Sequence, residues 1–339
     1  MSERVYNVVL AMDFSEQILE QIRAVSPRLN VRQFPPGKVP PEAYTTADIL
    51  YTVRDFPLPE QAPQLRWVQL NYAGVDGILT QPIVQVKEVT LTTASGVHAE
   101  TIANYCLMMM LAFHYQLPRM IRDQQKAHWP ERPHDLYRPP DVRGRVLGIV
   151  GYGTIARELA RVAAALGVRV LATKRDPKRP AESGDEYTGG AMGDPTGEIP
   201  DRLYPPAALA LMAKECDWLV VTAPLTQETY HCVSAEVLSA MKPSSILINI
   251  ARGPLVDEAA LIDALRSKQI AGAALDVFET EPLPAESPLW AMDNVIISPH
   301  TAGNSVGYHE KAAAIFIENL TRFLEKKPLL NVVRKDEGY

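Results

Sequence analysis

The chain has 339 residues, 47% hydrophobic and 22% charged, enough for two domains with sizeable cores and in the balance expected of a globular protein. A net charge of -6 argues against nucleic acid or an anionic membrane as main partner, so an anionic ligand must be met by local basic residues. Cys106, Cys216 and Cys232 lie in apolar segments without metal-ligand spacing, the N-terminus lacks a signal-peptide core, and the longest apolar stretch is too short to span a bilayer; free thiols, no metal site and a cytoplasmic location are expected.

Strands and helices alternate, which predicts an α/β fold. Residues 6–12 read as a strand, 15–25 as a helix and 30–34 as a strand, with further short strands at 48–53, 67–70 and 89–93. A helix is expected to begin near His98 and run through Met108, Met109 and Met110 as core filling, with Pro118 kinking or ending it. Residues 130–140 carry four prolines and read as a loop between domains or an arm across a partner. A second series then has strands at 146–150, 168–173, 218–222, 246–250, 271–275 and 295–298, with helices at 155–166, 205–214, 235–241 and 258–267 between them. Residues 176–206, with six prolines, read as a surface excursion. The amphipathic stretch 306–325 has no strand left to cover in this series and is free to return to the first domain.

The strand 146–150 leads into Gly151-Tyr152-Gly153-Thr154-Ile155-Ala156 and a helical pattern, the G-x-G-x-x-G/A fingerprint in its strand–turn–helix context. Gly151 permits the tight turn, Gly153 lets the backbone approach a pyrophosphate, and Ala156 lets helix pack on strand. The helix N-terminus favours the anion through its N–H groups and dipole. The next strand ends at Lys174-Arg175, where an NAD site usually carries an acid for the ribose 2′-OH. Two cations attract a 2′-phosphate, so NADP(H) is expected over NAD(H).

Late in the chain a cation, a carboxylate and an imidazole stand past the ends of three apolar runs: Arg252 after 246–250, Glu281 after 273–275 and His300 after 295–297. In an open parallel sheet ligands bind outside the carboxyl ends of the strands. The trio therefore suggests a site for an anionic substrate with a proton to move.

These segments, Asn249-Ile250-Ala251-Arg252-Gly253, 275–282 and Ser298-Pro299-His300-Thr301-Ala302-Gly303, resemble the D-isomer-specific 2-hydroxyacid dehydrogenases, as do 148–153, Ala223-Pro224-Leu225-Thr226 with Thr229, and Asn71-Tyr72-Ala73-Gly74-Val75-Asp76. The resemblance runs along nearly the whole chain. It implies two doubly wound parallel-sheet domains: a flavodoxin-like substrate domain from 1–115 and 302–339, and a Rossmann dinucleotide domain from 116–301. It implies that Arg252 grips the substrate carboxylate, that His300 is the acid toward the carbonyl oxygen, and that Glu281 holds the other ring nitrogen and favours the charged ring. Backbone N–H groups of Ala73 and Gly74 are implied as further carboxylate donors. Asp276 is implied at the nicotinamide carboxamide, with Gly151, Gly153, Thr154, Ile155, Lys174, Arg175, Thr222, Ala223, Pro224, Thr229, Ile250, Ala251, Ala302 and Gly303 along the dinucleotide.

Asn104 stands where the family usually carries Glu, and Lys174 where it usually carries Asp. His98 reads as a helix-start residue rather than a member of the site. His128 and Trp129 fall where the family has an inter-subunit segment, so a homodimer is expected. The expected reaction is reduction of a small 2-oxo acid, glyoxylate or hydroxypyruvate, to its D-2-hydroxy acid. A dinucleotide-sensing corepressor is the rival reading, and Glu281 in place of the formate enzymes' Gln argues against formate.

Overall fold

The computed structural model describes residues 4–181, 184, 186, 187 and 193–338. The chain divides into two compact units: Met1–Val97, Ser183–Gly189 and Ser305–Tyr339 in the first, His98–Glu182 and Gly190–Asn304 in the second.

The first unit opens with β1 (Tyr6–Ala11), α1 (Glu16–Ala24), β2 (Leu29–Phe34), α2 (Pro41–Thr45), β3 (Ile49–Thr52), β4 (Trp67–Leu70), α3 (Pro82–Gln85) and β5 (Thr90–Thr92). The strands form one parallel sheet in the order β2-β1-β3-β4-β5, the flavodoxin-like winding. Local signals agree with this path. Ser15 caps α1 by accepting from the Ile18 N–H, Glu16 and Arg23 sit at the ends that suit the helix dipole, and Ile18, Leu19 and Ile22 turn inward. The loop 71–76 leaves the carboxyl end of β4, and Asn71 at its root accepts from the Tyr51 hydroxyl at 2.6 Å.

The second unit holds α4 (Ala99–His114), α5 (Leu117–Gln125), α6 (Pro133–Leu136), β6 (Val146–Val150), α7 (Thr154–Ala165), β7 (Arg169–Thr173), β8 (Arg202–Tyr204), α8 (Leu209–Ala213), β9 (Trp218–Val221), α9 (Ala235–Ala240), β10 (Ile246–Asn249), α10 (Glu258–Arg266), β11 (Gly272–Leu275) and β12 (Val295–Ile297). Its seven strands are all parallel, in the order β12-β11-β10-β9-β6-β7-β8. The winding reverses between β6 and β9, so the loops after these two strands flank the switch point where a ligand crevice forms. The last helix, α11 (Tyr308–Leu324), belongs to the first unit, where Phe316 sits edge-on to Tyr51 and tilted against Trp67, with ring centroids 5.0 and 5.3 Å away.

The structure refines the sequence expectations at several points, among them a short helix, α6, inside the expected 130–140 loop and a second unit that ends at Asn304 rather than at 301. The boundary expected at residue 115 falls at Val97, because Ile102, Ala103, Cys106, Met109 and Met110 of α4 share a core with Leu159, Ala160 and Ala163 of α7. Met108, expected in that core, is exposed. The helix that starts at Ala99 ends ahead of Pro118, as expected, and Pro118 in turn starts another: the chain breaks at Gln116, in the left-handed region at φ 57°, and proline fits the first turn of α5, where no N–H is needed. The excursion 176–206 contains a seventh strand, β8, and its Tyr187 lies with the first unit, donating its N–H to Asn331 Oδ1 at 2.8 Å. Part of that excursion, residues 182, 183, 185 and 188–192, lies outside the described residues.

Candidate active site

The turn after β6 is held from both neighbouring strands. Thr222, following β9, donates its hydroxyl to Gly151 O at 2.7 Å, while Thr173 at the end of β7 accepts from the Gly151 N–H at 3.0 Å. Gly151 has φ +92° and its missing Cβ would lie 2.8 Å from Ala223 Cα, so only glycine makes this turn. At Gly153 nothing lies within 4 Å of the Cβ position, which leaves an open face in front of the twelve-residue helix α7. Ala156 is fully buried against the sheet. An approachable backbone and the N-terminus of a full-length helix are what a pyrophosphate requires, so the chain's own residues fit a dinucleotide. Ala223 is buried, and the Thr229 hydroxyl donates to Pro224 O at 2.7 Å, which shapes the loop after β9. Lys174 and Arg175 follow directly on β7, with the Lys174 N–H bonded to Tyr204 O of β8.

A buried polar cluster ties the excursion to this turn. Arg157, 1% exposed on α7, donates to Asp194 O and to Pro180 O at 2.6 Å, and its guanidinium stacks over Tyr152 at 4.8 Å. The Tyr152 hydroxyl donates to Asp194 Oδ2 at 2.6 Å, and Asp194 also accepts the N–H groups of Gly197, Glu198 and Ile199. A buried cation with this many acceptors is satisfied rather than catalytic.

Arg252, Glu281 and His300, the residues expected to react, lie past the ends of β10, β11 and β12. The carboxamide of Asn249, the last residue of β10, accepts from the Ala251 N–H at 3.2 Å and donates to Arg252 O at 2.9 Å, so it sets the backbone that delivers Arg252 just past Ile250. Glu281 is pinned at both oxygens: Oε1 accepts from the Phe278 N–H at 3.0 Å, and Oε2 lies 2.8 Å from His300 Nδ1. Both side chains remain partly exposed, His300 at 49% and Glu281 at 35%.

His300 sits on a left-handed backbone, φ 55°. Asp276 imposes that conformation. Its carbonyl accepts from the His300 N–H at 2.8 Å, its Oδ1 from the Thr301 N–H at 2.9 Å and the Ser298 hydroxyl at 2.5 Å, and its Oδ2 from the Ala302 N–H at 2.9 Å. The residue expected at the nicotinamide thus has both carboxylate oxygens engaged inside the protein, and it is 1% exposed. Tyr105 of α4 adds a link by donating its hydroxyl to Ser298 Oγ at 2.5 Å. Burial pushes this phenol up to about 12, so it remains a donor.

His98 also reaches this turn. Its ring makes no cap bond to α4, and Nδ1 lies 3.0 Å from Gly303 O. A carbonyl can only accept, so Nδ1 carries the proton. Burial holds the ring below the usual histidine range, the Gly303 carbonyl opposes that shift, and the charges of Arg252 and His300 add to it.

Arg252, Glu281, His300, Asp276, Ala302 and Gly303 therefore share one edge of the second unit with the Gly151–Ile155 turn, Thr222–Pro224 and Thr229. Ala73 and Gly74 lie on the β4 loop of the first unit. Asn249, Ser298, Tyr105, His98 and Thr173 were missed as site residues. Asn249 and Ser298 could have been found, since each is a polar residue closing a short apolar run. The other three act on partners more than twenty positions away, which no local pattern reveals.

The family profile for the D-isomer specific 2-hydroxyacid dehydrogenase NAD binding domain matches residues 107–302. The chain belongs to the D-isomer specific 2-hydroxyacid dehydrogenases. A glyoxylate reductase of Korarchaeum cryptofilum is 34% identical over 283 residues, 82% of this chain and 78% of that protein. The crystal structure of a D-isomer specific 2-hydroxyacid dehydrogenase from Xanthobacter autotrophicus, in complex with NADPH and MES, superposes with a TM-score of 0.80 at 30% identity, covering 99% of this chain and all of that one. A glyoxylate/hydroxypyruvate reductase from Sinorhizobium meliloti, solved with NADP and sulfate, gives 0.78 at 26% identity over 98% and 100%. The protein is accordingly an oxidoreductase acting on CH–OH donors with a nicotinamide dinucleotide, and no helix among the described residues is long and apolar enough to cross a membrane.

Proposed function

We propose that the enzyme reduces a small 2-oxo acid, glyoxylate or hydroxypyruvate, to its D-2-hydroxy acid with NADPH as the preferred coenzyme. The observation that carries this reading is the 2.8 Å contact of His300 Nδ1 with Glu281, on the same strand-end edge as Arg252. A bound nicotinamide dinucleotide supplies the hydride. The guanidinium of Arg252 grips the substrate carboxylate through its planar fork, with the N–H groups of Ala73 and Gly74 as further donors. Glu281 takes the Nδ1 proton of His300 as a hydrogen bond, which leaves Nε2 to deliver the mobile proton to the carbonyl oxygen and to recover it in the reverse direction. Glu281 is itself fixed by the Phe278 N–H, so the ring is oriented before substrate arrives.

Lys174 and Arg175 at the end of β7 support NADP(H), because a carboxylate there would repel the 2′-phosphate. The names of the reductases similar to this chain, and the NADP and NADPH complexes among the solved relatives, point the same way. Asp276, Ala302, Gly303, Ile250 and Ala251 border the nicotinamide end in this reading. Tyr115 just past α4, Leu117, Met120 and Ile121 on α5, and Trp129 in the loop beyond are exposed apolar side chains, which fits a homodimer; light scattering is expected to return twice 37.5 kDa. A cytoplasmic location fits three unpaired cysteines.

The test is a panel of 2-oxo acids assayed with each coenzyme. Oxidation of NADPH by glyoxylate or hydroxypyruvate is expected. No oxidation above blank with any 2-oxo acid overturns the reaction, and preference for NADH overturns the coenzyme assignment alone.

A further inference from the structure

The chain enters the second unit between Val97 and His98 and leaves it between Asn304 and Ser305. The hydrogen bond from His98 Nδ1 to Gly303 O therefore joins the first residue of that unit to its next-to-last, three positions from His300. We propose that His98 is a positioning residue for His300: by donating Nδ1–H to Gly303 O it closes the far end of the turn that carries the imidazole, and it ties that turn to the point where the chain enters the unit. The inference rests on the catalytic reading of His300 given above.

Three observations carry it. First, His300 has φ 55°, a conformation that residues other than glycine keep only when neighbours impose it. Asp276 supplies the near side of that constraint through the N–H groups of His300, Thr301 and Ala302 and the Ser298 hydroxyl, but its bonds stop at residue 302. His98 continues the constraint to residue 303. Second, ring and backbone are in contact: a Cβ at Gly303 would lie 2.6 Å from His98 Nδ1 and 3.1 Å from its Cε1, so the glycine makes room for this imidazole. Third, the duller role is absent, since the His98 side chain does not cap α4.

Tyr105 lies two helical turns further along α4 and bonds Ser298, so one helix holds the His300 turn at both ends. The ring of His98 is kept uncharged by burial, with Arg252 and His300 as the charged groups that oppose its protonation. It therefore adds no third cation beside the two groups that handle the substrate.

His98→Leu removes the donor while keeping an apolar side chain of similar size. His98→Asn keeps a donor, since its carboxamide nitrogen takes the place of Nδ1. In His98→Leu, kcat is expected to fall about ten- to a hundredfold, as a small misplacement of a reacting group does, with the NADPH dissociation constant within about twofold of wild type. Hydrogen exchange at the Thr301 and Ala302 amides is expected to quicken about tenfold. His98→Asn is expected to bring both quantities back near wild type. Unchanged kcat and unchanged exchange in His98→Leu overturn the proposal. So does an Asn variant as impaired as the Leu variant, which would assign the role to the ring itself. If the wild-type enzyme reduces no 2-oxo acid, the catalytic reading of His300 fails, while the exchange comparison still decides whether His98 holds the turn.

Discussion

The proposed function rests on two places in the second unit, the His300 turn and the end of β7. Around His300, a stretch of six residues, 298–303, is held by the Asp276 carboxylate just past β11, the Tyr105 phenol of α4 and the His98 imidazole at the start of that helix, through bonds of 2.5–3.0 Å. At the end of β7, Lys174 and Arg175 stand where the chain leaves the sheet for its long excursion, which the Arg157–Asp194–Tyr152 cluster ties back to the turn after β6. In the proposed function the two places have different tasks. Proton transfer fails when a reacting atom is displaced by an ångström, so its carrier is over-determined. Attraction of a phosphate by two cations falls off gradually with distance, which is a looser demand on position.

The sharpest way to break this comparison is to remove the reacting group. His300→Ala is expected to lower kcat about a hundred- to ten-thousandfold while NADPH binding, followed by fluorescence titration, changes little. Lost coenzyme affinity with normal turnover would reverse the roles of the two places.

Next in size is the frame. Asp276→Ala leaves the Thr301 and Ala302 N–H groups and the Ser298 hydroxyl without their acceptor, so urea unfolding is expected to show a loss of about 1–3 kcal/mol together with reduced turnover. A stable variant with normal kcat would mean the turn needs no such frame.

Lys174→Asp with Arg175→Ser probes the other place. It is expected to move the kcat/KM ratio of NADPH to NADH at least tenfold toward NADH, with hardly any change in kcat, because repulsion of the 2′-phosphate is added while the His300 turn is untouched. An unmoved ratio removes the phosphate assignment.

The smallest effect concerns pH. His98 is held below the ordinary value of 6.5 in the folded chain, so between its two values the unfolded chain binds the proton more readily. Its share of stability is complete above the unfolded value and is lost as pH falls from there toward the folded one. His98→Asn is expected to flatten the decline in urea midpoint as pH falls below about 6.5, though His114, likewise held low by burial, retains part of it. An identical decline in the variant would mean that His98 contributes no such linkage.

Much of this organisation was legible in the sequence where one short segment carries both the structure and the chemistry. The strand–turn–helix at 146–166, the strand-end cation at 252 and the Ser298–Gly303 segment need only local order for their reading. The missed features depend on distant partners. Strand β8 has three residues between prolines and gains its place only by pairing with β7. Arg157 reads as an ordinary solvated helix cation until Pro180 and Asp194 fold over it. His98 reads as a helix-start residue because Gly303 is 205 positions away. The boundary at Val97 follows from α4 packing on α7, and an apolar helix between two sheets carries no mark of which sheet it will cover.

The central claim is that His300, oriented by Glu281, delivers a proton to the carbonyl oxygen of an Arg252-bound 2-oxo acid as hydride arrives. Chiral analysis of the glycerate formed from hydroxypyruvate and NADPH, for wild type and His300→Ala side by side, tests it most directly. D-glycerate alone is expected from the wild-type enzyme and almost none from the variant; L-glycerate, or equal product from both proteins, would overturn the proton-donor role of His300.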